Sequence, residues 1–165
     1  MRFASLILLL GSSFIFIQCN KPKTSDCTFN PETSLVPCAP EDTSSSVNGF
    51  VTIYYSTMEK KSEGNFIDGT VDGFWKFYYP NGELKMEGNF TEGMADGFWN
   101  TYHSNGNIHT QGHFENCQRS GFWKYYYESE NNTVRYEGNY TNDEKSGIWK
   151  EYDLDGNLTV ERDCE

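Results

Sequence analysis

The residues best equipped for chemistry in this sequence are three histidines that lie close together along the chain, His103, His109 and His113. In an extended strand His109 and His113 point to the same face, and at roughly 3.3 Å per residue they lie about 13 Å apart. One metal ion cannot bridge that distance, and His103 is expected to face the other way. Ordinary strand surface is the better interpretation, so we expect neither a metal site nor a catalytic histidine.

The acidic residues offer no alternative centre. Asp68-Gly69, Asn142-Asp143-Glu144 and the run Asp153–Asp155 occur where turns are expected, and none has the ligand spacing of an EF-hand calcium loop. Turn formation explains them better than cation binding. With no converging set of polar groups, the sequence predicts a protein that is not an enzyme and that uses no cofactor.

Two pairs of cysteines could form disulfides. Cys27 and Cys38 are close in sequence within a Ser-, Thr- and Pro-rich segment, and we expect a local disulfide between them in an oxidising compartment. Cys117 and Cys164 are a less favoured pair. A simple meander separates them by three strand spacings, about 14 Å, whereas a disulfide needs a Cα separation below about 7 Å.

Residues 1–18 have the features of an export signal: one basic residue, Arg2, precedes an apolar stretch too short and interrupted for a membrane span. Cys19 follows directly, and the segment resembles bacterial lipoprotein signals. That resemblance implies lipidation at Cys19 and attachment to the cell envelope, at the outer surface or the periplasmic face. Plain secretion and an uncleaved anchor are the alternatives. Residues 19–48 are predicted to be a disordered linker.

The composition excludes some partners and favours one fold class. The chain of 165 residues has a formal net charge of −11, and this field repels nucleic acid, so we expect no nucleic-acid partner. Aromatic residues make up 16% of the chain and glycine is abundant. This mixture favours short strands and tight turns over helices.

Residues 49–165 repeat one pattern five times. The units begin at Gly49, Gly73, Gly97, Gly121 and Gly147, with a period of 24 residues and 26 in the fourth unit, where the extra residues fall within 128–133. A typical unit opens with Gly-Phe-Trp, continues to a tyrosine and contains a second glycine near its end. Such self-similarity is typical of repeat proteins. We expect an all-β fold, an elongated antiparallel meander of about five stacked β-hairpins.

Turn dipeptides mark the middle of three units: Asn81-Gly82, Asn105-Gly106 and Asp155-Gly156. They predict two-residue type I′ hairpin turns, in which both residues have positive φ. A turn of this length also fixes which residues face each other across the hairpin.

In the second unit this turn pairs Trp75 with Gly88 and Tyr79 with Leu84. We therefore expect each tryptophan ring to lie over the glycine that is paired with it, which explains why a second glycine recurs. Burying one ring of roughly 200 Å² contributes several kcal/mol. The structural repeat residues are then Trp75, Trp99, Trp123, Trp149, Gly88, Gly112 and Gly138.

The opposite face of the sheet carries the phenylalanine at the second position of each unit and a recurring tyrosine. Aromatic residues spaced by charged ones could form an extended binding surface for a protein or a glycan. The competing interpretation is that they only pack a thin sheet. The candidate interaction residues are Tyr54, Tyr78, Tyr102, Tyr126 and Tyr152.

These elements resemble the MORN repeat variant family in its short bacterial form, through the residues Gly73, Trp75, Tyr78, Tyr79, Asn81, Gly82, Glu87, Gly88 and Phe90. The resemblance covers residues 49–165 and implies β-hairpin repeats and a scaffolding role near membranes; some bacterial members are antitoxins. We therefore expect a monomeric, lipid-anchored envelope protein that binds a protein or cell-wall partner. The alternative is an antitoxin or immunity-type inhibitor of a toxin.

Overall fold

The computed structural model describes residues 47–164, which form one antiparallel β-sheet. Its strands are β1 (Gly49–Tyr54), β2 (Lys60–Ile67), β3 (Thr70–Tyr78), β4 (Leu84–Thr91), β5 (Met94–Ala95), β6 (Gly97–Tyr102), β7 (Ile108–Glu115), β8 (Gln118–Tyr126), β9 (Val134–Thr141), β10 (Glu144–Tyr152) and β11 (Leu158–Cys164). The strands pair in chain order, except that the two-residue β5 lies beside β4, which also pairs with β6. The predicted all-β meander of hairpin repeats is confirmed.

The export signal predicted for residues 1–18 and nearly all of the linker predicted for residues 19–48 lie outside the described residues. The same holds for Cys19, Cys27 and Cys38, so their lipidation and disulfide stay predictions. Within residues 47–164, no helix has the length and apolar character needed to cross a membrane.

The turn inside each hairpin is not the predicted type I′ turn. In the second unit the Gly82 N–H donates to the Tyr79 carbonyl at 2.9 Å, which closes a four-residue turn. Gly82 has a φ of +88°, but Asn81 is outside the left-handed region, so the turn is type I followed by a left-handed glycine. Pro80 favours this turn in the second unit, since proline suits the second position of a type I turn and lacks the N–H that a two-residue loop would use.

The pairing near this turn changes as a result. Tyr78, rather than Tyr79, faces Leu84, and a bulge restores the predicted pairing one residue further from the turn. The dipeptides Asn105-Gly106 and Asp155-Gly156 lie in turns of the same kind, with glycine N–H bonds of 3.0 Å in both. The type I′ prediction was therefore wrong in all three units.

Type I′ turns occur instead in the connections between hairpins. Both residues have positive φ in Asp68-Gly69, Glu92-Gly93, Asn116-Cys117 and Asn142-Asp143. Each connection also bonds to the one before it; for example, the Gly93 N–H donates to the Val71 carbonyl at 3.0 Å. The connections therefore form a column of their own that holds consecutive units in register.

Each tryptophan ring covers a glycine of the preceding hairpin. A Cβ atom at Gly64 would lie 2.2 Å from the ring of Trp75, and one at Gly88 would lie 2.2 Å from the ring of Trp99. Gly112 meets Trp123 and Gly138 meets Trp149 in the same way. The backbone pairing of Trp75 with Gly88 is as predicted. The prediction that the Trp75 ring lies over Gly88 was wrong, and the tryptophans join one unit to the next.

A left-handed glycine ahead of each tryptophan accounts for this difference. Gly73 has a φ of +72° and lies in a bulge where the register between β2 and β3 shifts opposite Gly64. The bulge lets the Trp75 indole reach β2, where its Nε1 donates to the Asn65 carbonyl at 3.0 Å. The same bond recurs at 2.9 to 3.2 Å in the next three units. Every buried indole N–H is thereby satisfied.

The tryptophans form the centre of the core, with exposures of 0–4% for Trp75, Trp99, Trp123 and Trp149. Each ring also meets an aromatic residue of the preceding hairpin edge to face, at centroid distances of 4.9–5.2 Å. The ladder stops at both ends. Val51 takes the tryptophan position in the first hairpin, and Arg162 takes the glycine position in the last. The Arg162 side chain fills the space that the glycine of the other hairpins leaves open, so a further tryptophan ring could not pack there.

Candidate functional site

The predicted interaction tyrosines are largely engaged within the sheet. In four units the hydroxyl donates to a side chain of the preceding hairpin: Tyr78 to Glu63, Tyr102 to Glu87, Tyr126 to Gln111 and Tyr152 to Glu137, at 2.5, 2.8, 2.6 and 2.8 Å. Tyr54 has no preceding hairpin within the described residues and is 55% exposed. Four of the five candidate interaction tyrosines therefore have their hydroxyls bonded within the sheet, because the preceding hairpin supplies an acceptor.

Burial and these hydrogen bonds shift the ionisation of the groups. Burial, and then the bond to Glu63, raises the pKa of Tyr78 to about 12. Burial and the bond to Glu87 raise the pKa of Tyr102 to about 12 in the same way. The bonds from Lys60 and then Tyr78 lower the pKa of Glu63. At neutral pH the hydroxyls therefore remain donors and the Glu63 carboxylate remains a charged acceptor.

The residues at the second position of each unit form a row of exposed apolar side chains on this face. They are Phe50, Phe74, Phe98, Phe122 and Ile148, with exposures of 65, 47, 53, 49 and 44%, and we call them the phenylalanine row. The members stand on alternate strands along the pairing order, so neighbours are about 9.6 Å apart, twice the strand spacing. The row is therefore a regular series of exposed apolar side chains that runs across the strands of the sheet.

Each member of the phenylalanine row pairs with an exposed polar residue on the second strand of its hairpin. These partners are Asn65, Asn89, His113, Asn139 and Asp163, in chain order. Three of the five are asparagines, whose amides can both donate and accept hydrogen bonds. The row therefore alternates apolar and mostly neutral polar groups along the length of the sheet.

A row of opposite charges lies beside it. Lys124 Nζ lies 3.5 Å from Glu137, and Lys150 Nζ lies 3.9 Å from Glu161. The third unit has amides at these positions, and Gln111 donates to Asn100 at 3.0 Å. Exposed pairs of this kind stabilise a fold only slightly, but they balance the charge of this face although the whole chain is acidic.

The histidines are arranged differently from the prediction. The rings of His103 and His109 have centroids 4.3 Å apart, because His103 opens the turn that brings the two strands together. His103 Nε2 is buried and has no hydrogen-bond partner among the described residues. The equivalent residue in the second unit, Tyr79, donates its hydroxyl to the Tyr102 carbonyl at 2.8 Å. His113 is exposed and lies apart, in the polar set beside the phenylalanine row.

Metal ligands are not assembled in this part of the chain. Within residues 47–164, no group of three or more His, Cys, Asp or Glu side chains is placed to hold a metal ion.

Cys117 and Cys164 are not each other's partner. Cys164 is disulfide-bonded, whereas Cys117 has a thiol whose Sγ accepts the Ala95 N–H at 3.2 Å. Cys117 lies in the connection between the third and fourth hairpins, while Cys164 pairs with Gly147 at the end of the last strand. The less favoured disulfide prediction was therefore wrong, because Cys117 precedes β8 and Cys164 ends β11, which is three strands further along the sheet.

A partly buried ion pair holds the fourth connection. Arg119 Nε donates to Asp143 Oδ1 at 2.8 Å, and the guanidinium lies 4.0 Å from the centroid of the Tyr140 ring. Arg119 occupies the position that Val71 and Ala95 fill in the two preceding connections, as the shared backbone bonds show. This cluster replaces apolar packing in one unit, so we assign it to the fold.

The sequence analysis named the tyrosines as the candidate interaction residues and missed the polar partners of the phenylalanine row. These partners could have been found from the predicted strand register. The pairing that joins Trp75 to Gly88 also joins Phe74 to Asn89, one residue further from the turn.

The family model described as MORN repeat variant matches residues 72–92, 96–116 and 145–163. The matched segments are the second, third and fifth hairpins, and the other two hairpins share their strand pairing. A search of curated proteins finds no significant match to the chain. The second, third and fifth hairpins of this chain therefore match the MORN repeat variant family.

Proposed function

We propose that the chain is a non-enzymatic binding and scaffold module of the cell envelope, attached to a membrane through a lipid at Cys19, and that the phenylalanine row is its binding surface. MORN repeats in general are interaction modules. The observation that carries the proposal is the exposure of the row. Among the recurring aromatic residues within 47–164, the tryptophans are buried and four tyrosines are hydrogen-bonded, whereas the row points to solvent.

The exposed area is large enough to matter for binding. About half of each phenylalanine faces water, or roughly 100 Å² of a ring-bearing side chain. Covering that area would stabilise a complex by about 2 kcal/mol per phenylalanine. The entropy lost when the two molecules associate must be subtracted from this gain. A partner that covers three members of the row would therefore gain enough for specific binding.

Photo-cross-linking in cells tests the surface. A photoreactive phenylalanine analogue in place of Phe74 or Phe98 should trap the partner. The same analogue in place of Leu154, which is 65% exposed in the last hairpin turn, is the matched control. Equal trapping from Leu154 and the row, or none from the row, would refute the proposal.

The anchor is tested separately. Cells grown with labelled palmitate should incorporate the label into the protein, and Cys19→Ala should abolish incorporation. An unlabelled wild-type protein would remove the lipid anchor and leave the binding surface as an independent claim.

The acidic charge supports a second candidate, an inhibitor of a basic toxin. A formal charge of −11 would speed association with a cationic partner. Co-expression with a toxic protein encoded next to this chain tests the idea, since an inhibitor would restore growth. Unchanged toxicity would reject it.

A further inference from the structure

We infer that the phenylalanine row binds an uncharged β-1,4-linked polysaccharide of N-acetylhexosamine, laid along the sheet across the strands. This inference rests on the proposed binding function of the row and names its ligand. The observation behind it is that exposed apolar side chains alternate from strand to strand with exposed polar ones, which are asparagine amides in three of the five units.

The first argument is the period of the row. Successive phenylalanines occupy alternate strands of the path, which sets a repeat of about 9.6 Å. A β-1,4-linked hexose chain turns each sugar over relative to the last, so it presents the same face at every second sugar, at a closely similar distance. One phenylalanine can therefore meet one sugar face in each disaccharide.

The second argument is the chemistry of the alternation. A pyranose ring has an apolar face of C–H groups, which packs against an aromatic ring, and an edge of polar groups that need hydrogen bonds. Asn65, Asn89 and Asn139 stand beside Phe50, Phe74 and Phe122 and are exposed. The acetamido group of an N-acetylated sugar offers a carbonyl and an N–H, which complement the acceptor and donors of an asparagine amide.

The third argument is charge. The chain is strongly acidic, at −11, and an anionic polymer would be repelled. The phenylalanine row and its partners carry one carboxylate, Asp163, at the end of the row. A neutral polymer avoids this repulsion, and it would meet asparagine amides in three of the five units.

Calorimetric titration of the full chain with soluble oligosaccharides tests the inference. Oligomers of β-1,4-linked N-acetylglucosamine should bind more tightly as they lengthen from disaccharide to octasaccharide, because each added disaccharide reaches another phenylalanine. β-1,3-linked glucose oligomers of equal length are the linkage control, and β-1,4-linked glucose oligomers test the acetamido contribution. Both controls should bind at least tenfold more weakly.

Substitutions in the row locate the binding. Phe74→Ser combined with Phe98→Ser should weaken binding of the longest N-acetylglucosamine oligomer by at least tenfold. Leu154→Ser removes a comparably exposed apolar residue away from the row and should leave affinity unchanged. Circular dichroism spectra that match the wild type would show that these exposed substitutions leave the sheet intact.

Several outcomes would overturn the inference. These are no binding of the N-acetylglucosamine oligomers, equal binding of the β-1,3-linked control, equal or tighter binding of the glucose oligomers, or binding that survives the double substitution. A protein trapped by the photoreactive analogue at Phe98, with no oligosaccharide binding, would reject the polysaccharide and leave the proposed function standing. Self-association of the chain that the double substitution abolishes would assign the row to a second copy instead. If the double substitution changes no interaction of any kind, both proposals fail.

Discussion

A methyl group added at Gly88 should break the contact that joins the second and third hairpins. The new Cβ would lie 2.2 Å from Cδ2 of Trp99, where ordinary contacts begin at 3.4 Å. The ring would have to move by more than an ångström. Such a movement would disturb its bond to the Asn89 carbonyl at 3.2 Å and its edge-to-face contact with Phe90 at 5.2 Å.

The loss in free energy of unfolding expected from Gly88→Ala lies between two limits. Overpacking a rigid core destabilises by about 1–3 kcal/mol, and full loss of a buried aromatic ring by about 3–5 kcal/mol. Because Trp99 is 1% exposed and is held on several sides, we expect Gly88→Ala to lower the free energy of unfolding by about 3 kcal/mol. Gly121→Ala is the control, since its Cβ would meet nothing within 4 Å. Its φ of +68° accounts for a smaller loss, about 1–2 kcal/mol.

Urea unfolding followed by far-ultraviolet circular dichroism measures both changes without depending on tryptophan emission. A double-mutant cycle isolates the contact, with Trp99→Val as the second substitution because Val51 fills the equivalent position in the first hairpin. With Trp99→Val present, Gly88→Ala should have almost no effect, giving a coupling of at least about 2 kcal/mol. Two results would refute the packing of the Trp99 ring on Gly88. One is additive effects of the two substitutions, and the other is a loss for Gly88→Ala no larger than that for Gly121→Ala.

Three further changes test the contacts between units. His103→Tyr should raise stability by about 1 kcal/mol in thermal unfolding, because tyrosines at this position elsewhere donate to a backbone carbonyl of the next unit; an unchanged or lower melting temperature would contradict this. Asp143→Gly alone should destabilise by about 2 kcal/mol in urea, by leaving the partly buried Arg119 without its carboxylate, and adding Arg119→Val should recover most of the loss; equal losses in both variants would reject the pairing argument. The pKa values of Tyr78 and Tyr102 are raised from 10 to about 12, so the stability they contribute is complete below pH 10 and is lost as the pH rises through about 12. Tyrosinate absorbance alongside circular dichroism should show this loss, and Tyr78→Phe combined with Tyr102→Phe should reduce it; ionisation of both tyrosines near pH 10 would contradict it.

The candidate surface was only partly predictable from the sequence. The position-two phenylalanines and the recurring tyrosines were both expected on the face opposite the tryptophans, and residue type did not tell which set remains exposed. The structure separates them through acceptors on the neighbouring unit: Glu63 and Glu87 engage Tyr78 and Tyr102. Phe74 has no hydroxyl, forms no such bond and is 47% exposed.

The sequence by itself determined the period, the order of the strands and the pairing of Trp75 with Gly88, because these depend on the spacing of residues within one unit. Only the tertiary structure decided which glycine the ring covers. The left-handed bulge at Gly73 allows the indole to reach across to the preceding hairpin, and its N–H finds a carbonyl there. Gly64 lies 11 residues before Trp75 and Gly88 lies 13 residues after it, so spacing along the chain could not choose between the two glycines, and the backbone conformation at Gly73 decides.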